Sequence, residues 1–167
     1  AESLDGMDLL PGDGVNDEFD NRLVAFLRLG SDINENYYQI EVPLKPTTFS
    51  SGQSNRYSPE KVWNPDSNSI DFDLEKFLNI KLKLISEKIR SNEAVYFDDE
   101  LNIIDEFSPI SKLPGDKKYK FSLKGNPSLG RIKTITLGLK NPSTQVGNNL
   151  FGEVWFNELR LSEIKGK

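Results

Sequence analysis

Residues 22–45 read RLVAFLRLGSDINENYYQIEVPLK, and this stretch decides the fold class. In 22–30 the apolar side chains Leu23, Ala25, Leu27 and Leu29 fall on alternate positions. In 37–45 Tyr38, Ile40, Val42 and Leu44 do the same, opposite Gln39, Glu41 and Lys45. A period of two is what a half-buried antiparallel strand needs, because successive side chains point to opposite faces. The connector Ser31-Asp32-Ile33-Asn34-Glu35-Asn36 has turn chemistry, so the two strands are expected to form a hairpin. Pro43 cannot donate to a ladder and points to an edge or a bulge.

Working outward, 1–21 is acidic and glycine-rich and reads as an arm. Residues 46–69 are poor in apolar groups, with Trp63 as the one large anchor, and read as a long connection. Residues 73–91 are the helical candidate. Leu74, Phe77, Leu78, Ile85 and Ile89 form a stripe, Asp73 is placed to cap the start, and Lys88 and Arg90 suit the last turn. Within it Ile80-Lys81-Leu82-Lys83-Leu84 alternates like a strand, so one helix and a helix running into a strand both fit. Val95-Tyr96-Phe97 reads as a short strand. Tyr119, Phe121 and Leu123 mark the next, then Ile135, Leu137 and Leu139, after a phase change near Ile132 that suggests a bulge. Residues 153–163, with Trp155, Leu159 and Leu161 on one face, read as the last strand.

The expected architecture is mainly β. It is an antiparallel β-sandwich of jelly-roll type, with one helical segment near 73–91. Residues 22–164 form the single domain, between the arm 1–21 and a tail 165–167. Leu27, Ile40, Phe121, Leu137 and Trp155 are its expected core.

Composition narrows the chemistry. The 167 residues fit one domain and can bury a core without disulfide or metal. There is no cysteine and no histidine, which removes thiol chemistry, histidine bases and the best transition-metal ligands. Lys and Arg number 21 against 26 Asp and Glu, a net charge of −5, which argues against a nucleic-acid backbone as partner. No apolar run approaches the roughly 18 residues of a membrane helix. No signal peptide is visible at Ala1, and the chain reads as a piece of something larger. Membrane barrel strands also alternate, but long polar connectors and missing aromatic girdles argue against direct lipid contact.

Carboxylates are the remaining catalytic candidates. Glu153 and Glu158 share a predicted strand, yet an offset of five residues sends them to opposite faces, so no enzyme is expected. Asp13, Asp17 and Asp20, with Asn157 as a further oxygen, are candidate weak calcium ligands. Their spacing lacks a known calcium-loop pattern, and a solvated acidic arm is the plainer reading. No cofactor is therefore expected, and calcium is the one ion these oxygens could take. Tyr37, Tyr57 and Trp63 are the candidate aromatic contacts for a glycan or a partner protein.

Three runs carry a family resemblance. They are Phe26 to Asp32 with Asn36-Tyr37-Tyr38 and Pro43-Leu44, the run ITLGLKNP at 135–142, and GEVWFNELRL at 152–161. Together they resemble the SprA (Sov) family over roughly residues 22–162. The family comprises giant outer-membrane translocon proteins of the type IX secretion system of Bacteroidota, also needed for gliding motility. The resemblance implies a non-catalytic structural or interaction module of a Gram-negative cell envelope. Its partners would be the rest of the same large polypeptide, other secretion subunits or exported cargo. It brings no catalytic residues. The end pattern at 152–161 is also similar to the last strand of carbohydrate-binding jelly rolls, which keeps a surface glycan-binding module as the alternative. Those modules usually carry Asp where this chain has Asn157, which weakens a calcium carry-over.

Overall fold

A computed structural model describes residues 23–44, 68–110, 113, 119–142, 154–157 and 159–160. The hairpin read from the sequence is its centre. Strands β1 (Val24–Gly30) and β2 (Tyr37–Pro43) pair antiparallel, with Leu27 opposite Ile40 and Arg28 opposite Gln39. Helix α1 (Glu75–Ser86) follows, then β3 (Val95–Phe97), β4 (Ile103–Ile104), β5 (Lys120–Lys124) and β6 (Thr134–Lys140). All six strands belong to one antiparallel sheet in the order β4-β3-β5-β2-β1-β6. The layer packed on it is α1. The two-sheet jelly roll expected from the sequence is not seen among the described residues.

Alternation divides the sheet into an apolar face under the helix and a polar face behind it. Ala25, Leu27, Tyr38, Ile40, Val42, Tyr119, Phe121, Leu123 and Phe97 form one buried cluster with Phe77, Ile80 and Leu84 of α1. Its centre is aromatic. Phe77 stacks on Tyr38 at 4.9 Å between ring centroids and meets Phe121 edge-on at 6.0 Å, an arrangement that favours the rings' quadrupoles. The Tyr119 hydroxyl accepts from the Asp71 N–H and donates to the Ser69 carbonyl, fixing the approach to the helix.

The turn between β1 and β2 is built by one side chain. Asp32 Oδ1 accepts the N–H groups of Asn34, Glu35 and Asn36 at 3.1, 2.6 and 3.0 Å, and Oδ2 accepts Asn36 Nδ2 at 2.9 Å. The β3–β4 turn repeats the device four residues apart. Asp98 Oδ1 accepts the N–H groups of Glu100 and Asn102, and Oδ2 accepts Asn102 Nδ2. Short polar side chains bond readily to nearby backbone in this way, which is why Asp and Asn gather in turns.

Several expectations change. Residues 80–84 belong to one helix, not to a strand: Ile80 and Leu84 both face the core with Phe77. Leu78 and Ile85, expected on the buried stripe, are 45% and 63% exposed. The helix also stops at Ser86, short of Arg90. Lys88 takes a left-handed φ of 55°, Lys88 N–H bonds the Ile85 carbonyl and Ile89 N–H bonds the Leu84 carbonyl. This is a Schellman closure, normally made with glycine at the left-handed position. At the helix start the Asp73 carboxylate accepts the Glu75 N–H at 2.9 Å.

Pro43 marks neither an edge nor a bulge. It ends β2, an inner strand, beyond Glu41, the last residue paired with β5. The phase change near Ile132 is a short 3-10 turn (Leu129–Arg131), after which β6 pairs with β1 without a slip from Thr134 to Lys140.

Two expected core residues are not buried. Leu137 is 42% exposed, because β6 is the last strand of the sheet and its apolar face runs past the helix. Trp155 is 54% exposed, and the described residues 154–157 and 159–160 carry no strand. Leu27, Ile40 and Phe121 are buried as expected.

Candidate functional site

The polar face of the sheet is the less ordinary one, because it is buried. Gln39, Glu41, Lys120 and Ser122 are all at most 3% exposed. The segment after β4 helps to close this face: Ile110 and Leu113 pack with Val24. A charged side chain survives burial only when it is paired, and here the pairing runs across three strands. Arg28 Nε donates to Gln39 Oε1 at 2.8 Å, Gln39 Nε2 donates to Glu41 Oε1 at 2.8 Å, and Lys140 Nζ donates to the same oxygen at 2.7 Å. Arg28 also lies 3.8 Å from the ring centroid of Tyr37, a cation–π contact, and donates to the Ile33 carbonyl.

Beside this chain, Lys120 Nζ donates to the Glu106 carbonyl at 2.6 Å and the Tyr96 hydroxyl donates to Glu106 Oε1 at 3.1 Å. The ammonium groups of Lys120 and Lys140 sit 5.8 and 5.6 Å from the Tyr96 ring centroid. Burial pushes the Lys120 ammonium below its usual range, opposed by the charge of Glu41. Burial pushes the phenols of Tyr37 and Tyr96 up. Arg28 opposes the rise at Tyr37, and Glu41 and Glu106 add to it at Tyr96. Perturbed groups of this kind gather at functional sites and in structural ion networks alike. Here each cationic head is already held by a protein acceptor, which suits a rigid support better than a site that exchanges ligands.

The second unusual feature is apolar and open. Ile135, Leu137 and Leu139 of β6 lie on the helix face of the sheet and are 56%, 42% and 42% exposed. On α1 the exposed residues Leu78, Leu82 and Ile85 form a second stripe. At about 100° per residue it lies away from the buried face of the helix. Lys76 and Lys83, on the other flank, reach the Asp99 carboxylate at 3.2 Å and the Leu101 carbonyl at 2.6 Å in the β3–β4 turn. The second stripe is therefore turned outward on the β1–β6 side. Trp155, Phe156 and Leu159 add further exposed apolar surface. A grouping of exposed large apolar side chains marks an interaction surface more often than a lone one does.

Of the residues singled out in the sequence, Tyr37 and Asn157 lie among the described ones. Tyr37 is 6% exposed, with its ring against the Arg28 guanidinium. Asn157 is exposed. Tyr57, Trp63, Asp13, Asp17, Asp20, Glu153 and Glu158 lie outside the described residues. Among the described residues no group of three or more His, Cys, Asp or Glu side chains is placed to hold a metal ion, and no helix is long and apolar enough to cross a membrane. Sequence reading missed Glu41, Lys120 and Lys140 because alternation assigns them to solvent. The available signal was charge: Glu41 and Lys120 are opposite in sign and directly paired across β2 and β5.

Comparison with curated proteins and with solved structures gives no match. A family model for motility-related and secretion proteins, SprA_N, matches residues 11–167, nearly the whole chain, and this protein belongs to that family.

Proposed function

We propose that this domain is a non-catalytic structural and interaction module of a type IX secretion translocon in the outer membrane, serving protein export and gliding motility. Membership of a motility-related and secretion family over residues 11–167 carries this reading. The geometry agrees with it. A sheet locked from behind by a buried ion network is a stiff support, and its open face presents Ile135, Leu137 and Leu139 to solvent. In this reading the module sits at the envelope of a Gram-negative bacterium of the Bacteroidota. It contacts the rest of its own polypeptide, other secretion subunits or exported cargo, and needs no cofactor, nucleic acid or direct lipid contact.

The test is deletion of residues 23–142 from the chromosomal copy of the protein in its own host. Export of proteins to the medium and spreading on agar should both fall, while the truncated protein is still found in the envelope fraction. Undiminished export and spreading would overturn the proposal. Turnover of a glycan by the purified domain would overturn its non-catalytic part.

A further inference from the structure

Glu41 of β2 and Lys120 of β5 stand directly opposite each other, and both are at most 2% exposed. Opposite charges so placed would be expected to meet. Yet Glu41 Oε2 is buried with no hydrogen-bond partner among the described residues. The other carboxylate oxygen, Oε1, accepts from Gln39 Nε2 and from Lys140 Nζ. Lys120 Nζ donates instead to the Glu106 carbonyl at 2.6 Å, which uses one of the three protons an ammonium carries. Two residues along β5, on the same face, Ser122 Oγ is also buried without a partner among the described residues. Its cross-strand neighbours are engaged elsewhere. Gln39 bonds Arg28 and Glu41, and the Tyr96 hydroxyl donates to Glu106 Oε1. The register makes Ser122 the diagonal neighbour of Glu41. Two orphaned oxygens and a partly used ammonium thus share one face of two adjacent strands. Buried polar groups nearly always find a partner, because an unmade bond there is costly.

We propose that one internal water molecule binds at this corner of the polar face, accepting from Lys120 Nζ, donating to Glu41 Oε2 and bonded to Ser122 Oγ. Electrostatics choose the occupant. A cation would suit Glu41 but would meet the ammonium groups of Lys120 and Lys140. An anion would suit Lys120 but would meet the Glu41 carboxylate. A small neutral molecule that both donates and accepts suits all three groups, and about three bonds is usual for a buried water. Glu41 and Lys120 then form a water-separated pair that ties β2 to β5, as the direct pair of Glu41 with Lys140 ties β2 to β6. The segment after β4 closes this face: Glu106 fastens it to Lys120 and Tyr96, and Ile110 and Leu113 fasten it to Val24. The water therefore leaves only when that segment lifts, and it outlasts the tumbling of the molecule. This inference stands on the polar face alone and does not depend on the secretory role.

Oxygen-17 relaxation dispersion of the solvent signal detects waters held for longer than a protein tumbles. The 167-residue chain should show such a water. Ser122→Val, whose methyls take up the same room, should lose one water's contribution while its circular dichroism stays near wild type. Ser122→Ala, which removes the hydroxyl but leaves the room, should keep that contribution. A crystal structure of the wild type should show one ordered solvent peak within about 3.2 Å of Glu41 Oε2, Ser122 Oγ and Lys120 Nζ. Lys120 Nζ or Ser122 Oγ bonded directly to Glu41 Oε2 in that structure would overturn the proposal. So would a side chain from residues 114–118 in the same place, or the lack of any ordered solvent there. Equal dispersion amplitudes for the wild type and a folded Ser122→Val would overturn it in solution. Should Ser122→Val fail to fold, the wild-type crystal structure decides alone.

Discussion

Glu41 Oε1 on β2 and Lys140 Nζ on β6 lie 2.7 Å apart across the intervening strand β1, with the Glu41 side chain 1% exposed and that of Lys140 25% exposed. The pair ties the edge strand to an inner one independently of the backbone ladder. Removing one partner leaves the other charge buried, a loss of about 3 kcal/mol or more. Lys140→Met should therefore lower the free energy of unfolding in urea by about that much. Adding Glu41→Gln to Lys140→Met should restore part of it, since the orphaned carboxylate is gone. A double variant as unstable as the sum of the two single variants would show that the pair does not act as a unit.

The aromatic centre and the exposed tryptophan should respond in opposite ways. Phe121 is fully buried and meets Phe72, Phe77 and Tyr119 edge-on. Phe121→Ala should cost about 3–5 kcal/mol, the usual result of opening a large cavity in a core. Trp155 is 54% exposed, so Trp155→Ala should change stability by less than about 1 kcal/mol. Denaturant midpoints of the two variants decide. A large loss from Trp155→Ala would restore the core position that alternation predicts for it.

What was legible in the sequence was what period alone controls. The β1–β2 hairpin, β3, β5, β6 and the existence of α1 all follow from apolar spacing and from the turn residues between them. Spacing did not show which face of an element ends up covered. Leu137 and Phe121 have the same local pattern, yet Phe121 lies on β5 beneath α1, while Leu137 lies on an edge that the helix does not reach. The helix end was hidden for a different reason. Lys88 and Arg90 suit a final helical turn electrostatically, and only the backbone bonds of Lys88 and Ile89 reveal the left-handed stop. The buried polar face was the least legible part. Gln39, Glu41, Lys120 and Ser122 look like solvent-facing positions until the segment after β4 closes over that side of the sheet.

The Schellman closure offers a gain in stability. Lys88 holds φ of 55°, a region where its Cβ is crowded and glycine is not. Lys88→Gly should raise the stability by about 1 kcal/mol, less the extra entropy that glycine gives the unfolded chain. Lys88→Ala should give no such gain, because alanine carries the same Cβ. Equal melting temperatures for the glycine and alanine variants would mean that the left-handed turn is not formed in solution.

Asp32 makes the β1–β2 turn sensitive to acid. The hydrogen bonds from the Asn36 side chain and from the Glu35 and Asn36 N–H groups hold its carboxyl at about 2, below the ordinary 3.8. The folded state therefore releases the Asp32 proton more readily than the unfolded chain does. The resulting stabilisation is fully present above pH 3.8 and is lost as pH falls from there through about 2. Below that value both states are protonated and the contribution vanishes. Chemical denaturation across this window should show stability falling with acid in the wild type, with a shallower fall in Asp32→Asn, which cannot titrate. The comparison must be of slopes, because the other carboxylates add their own acid dependence in both proteins. Asp32→Ala should also lower stability at neutral pH, since four donors lose their acceptor at once. Parallel slopes for wild type and Asp32→Asn would show that the carboxylate does not hold the turn.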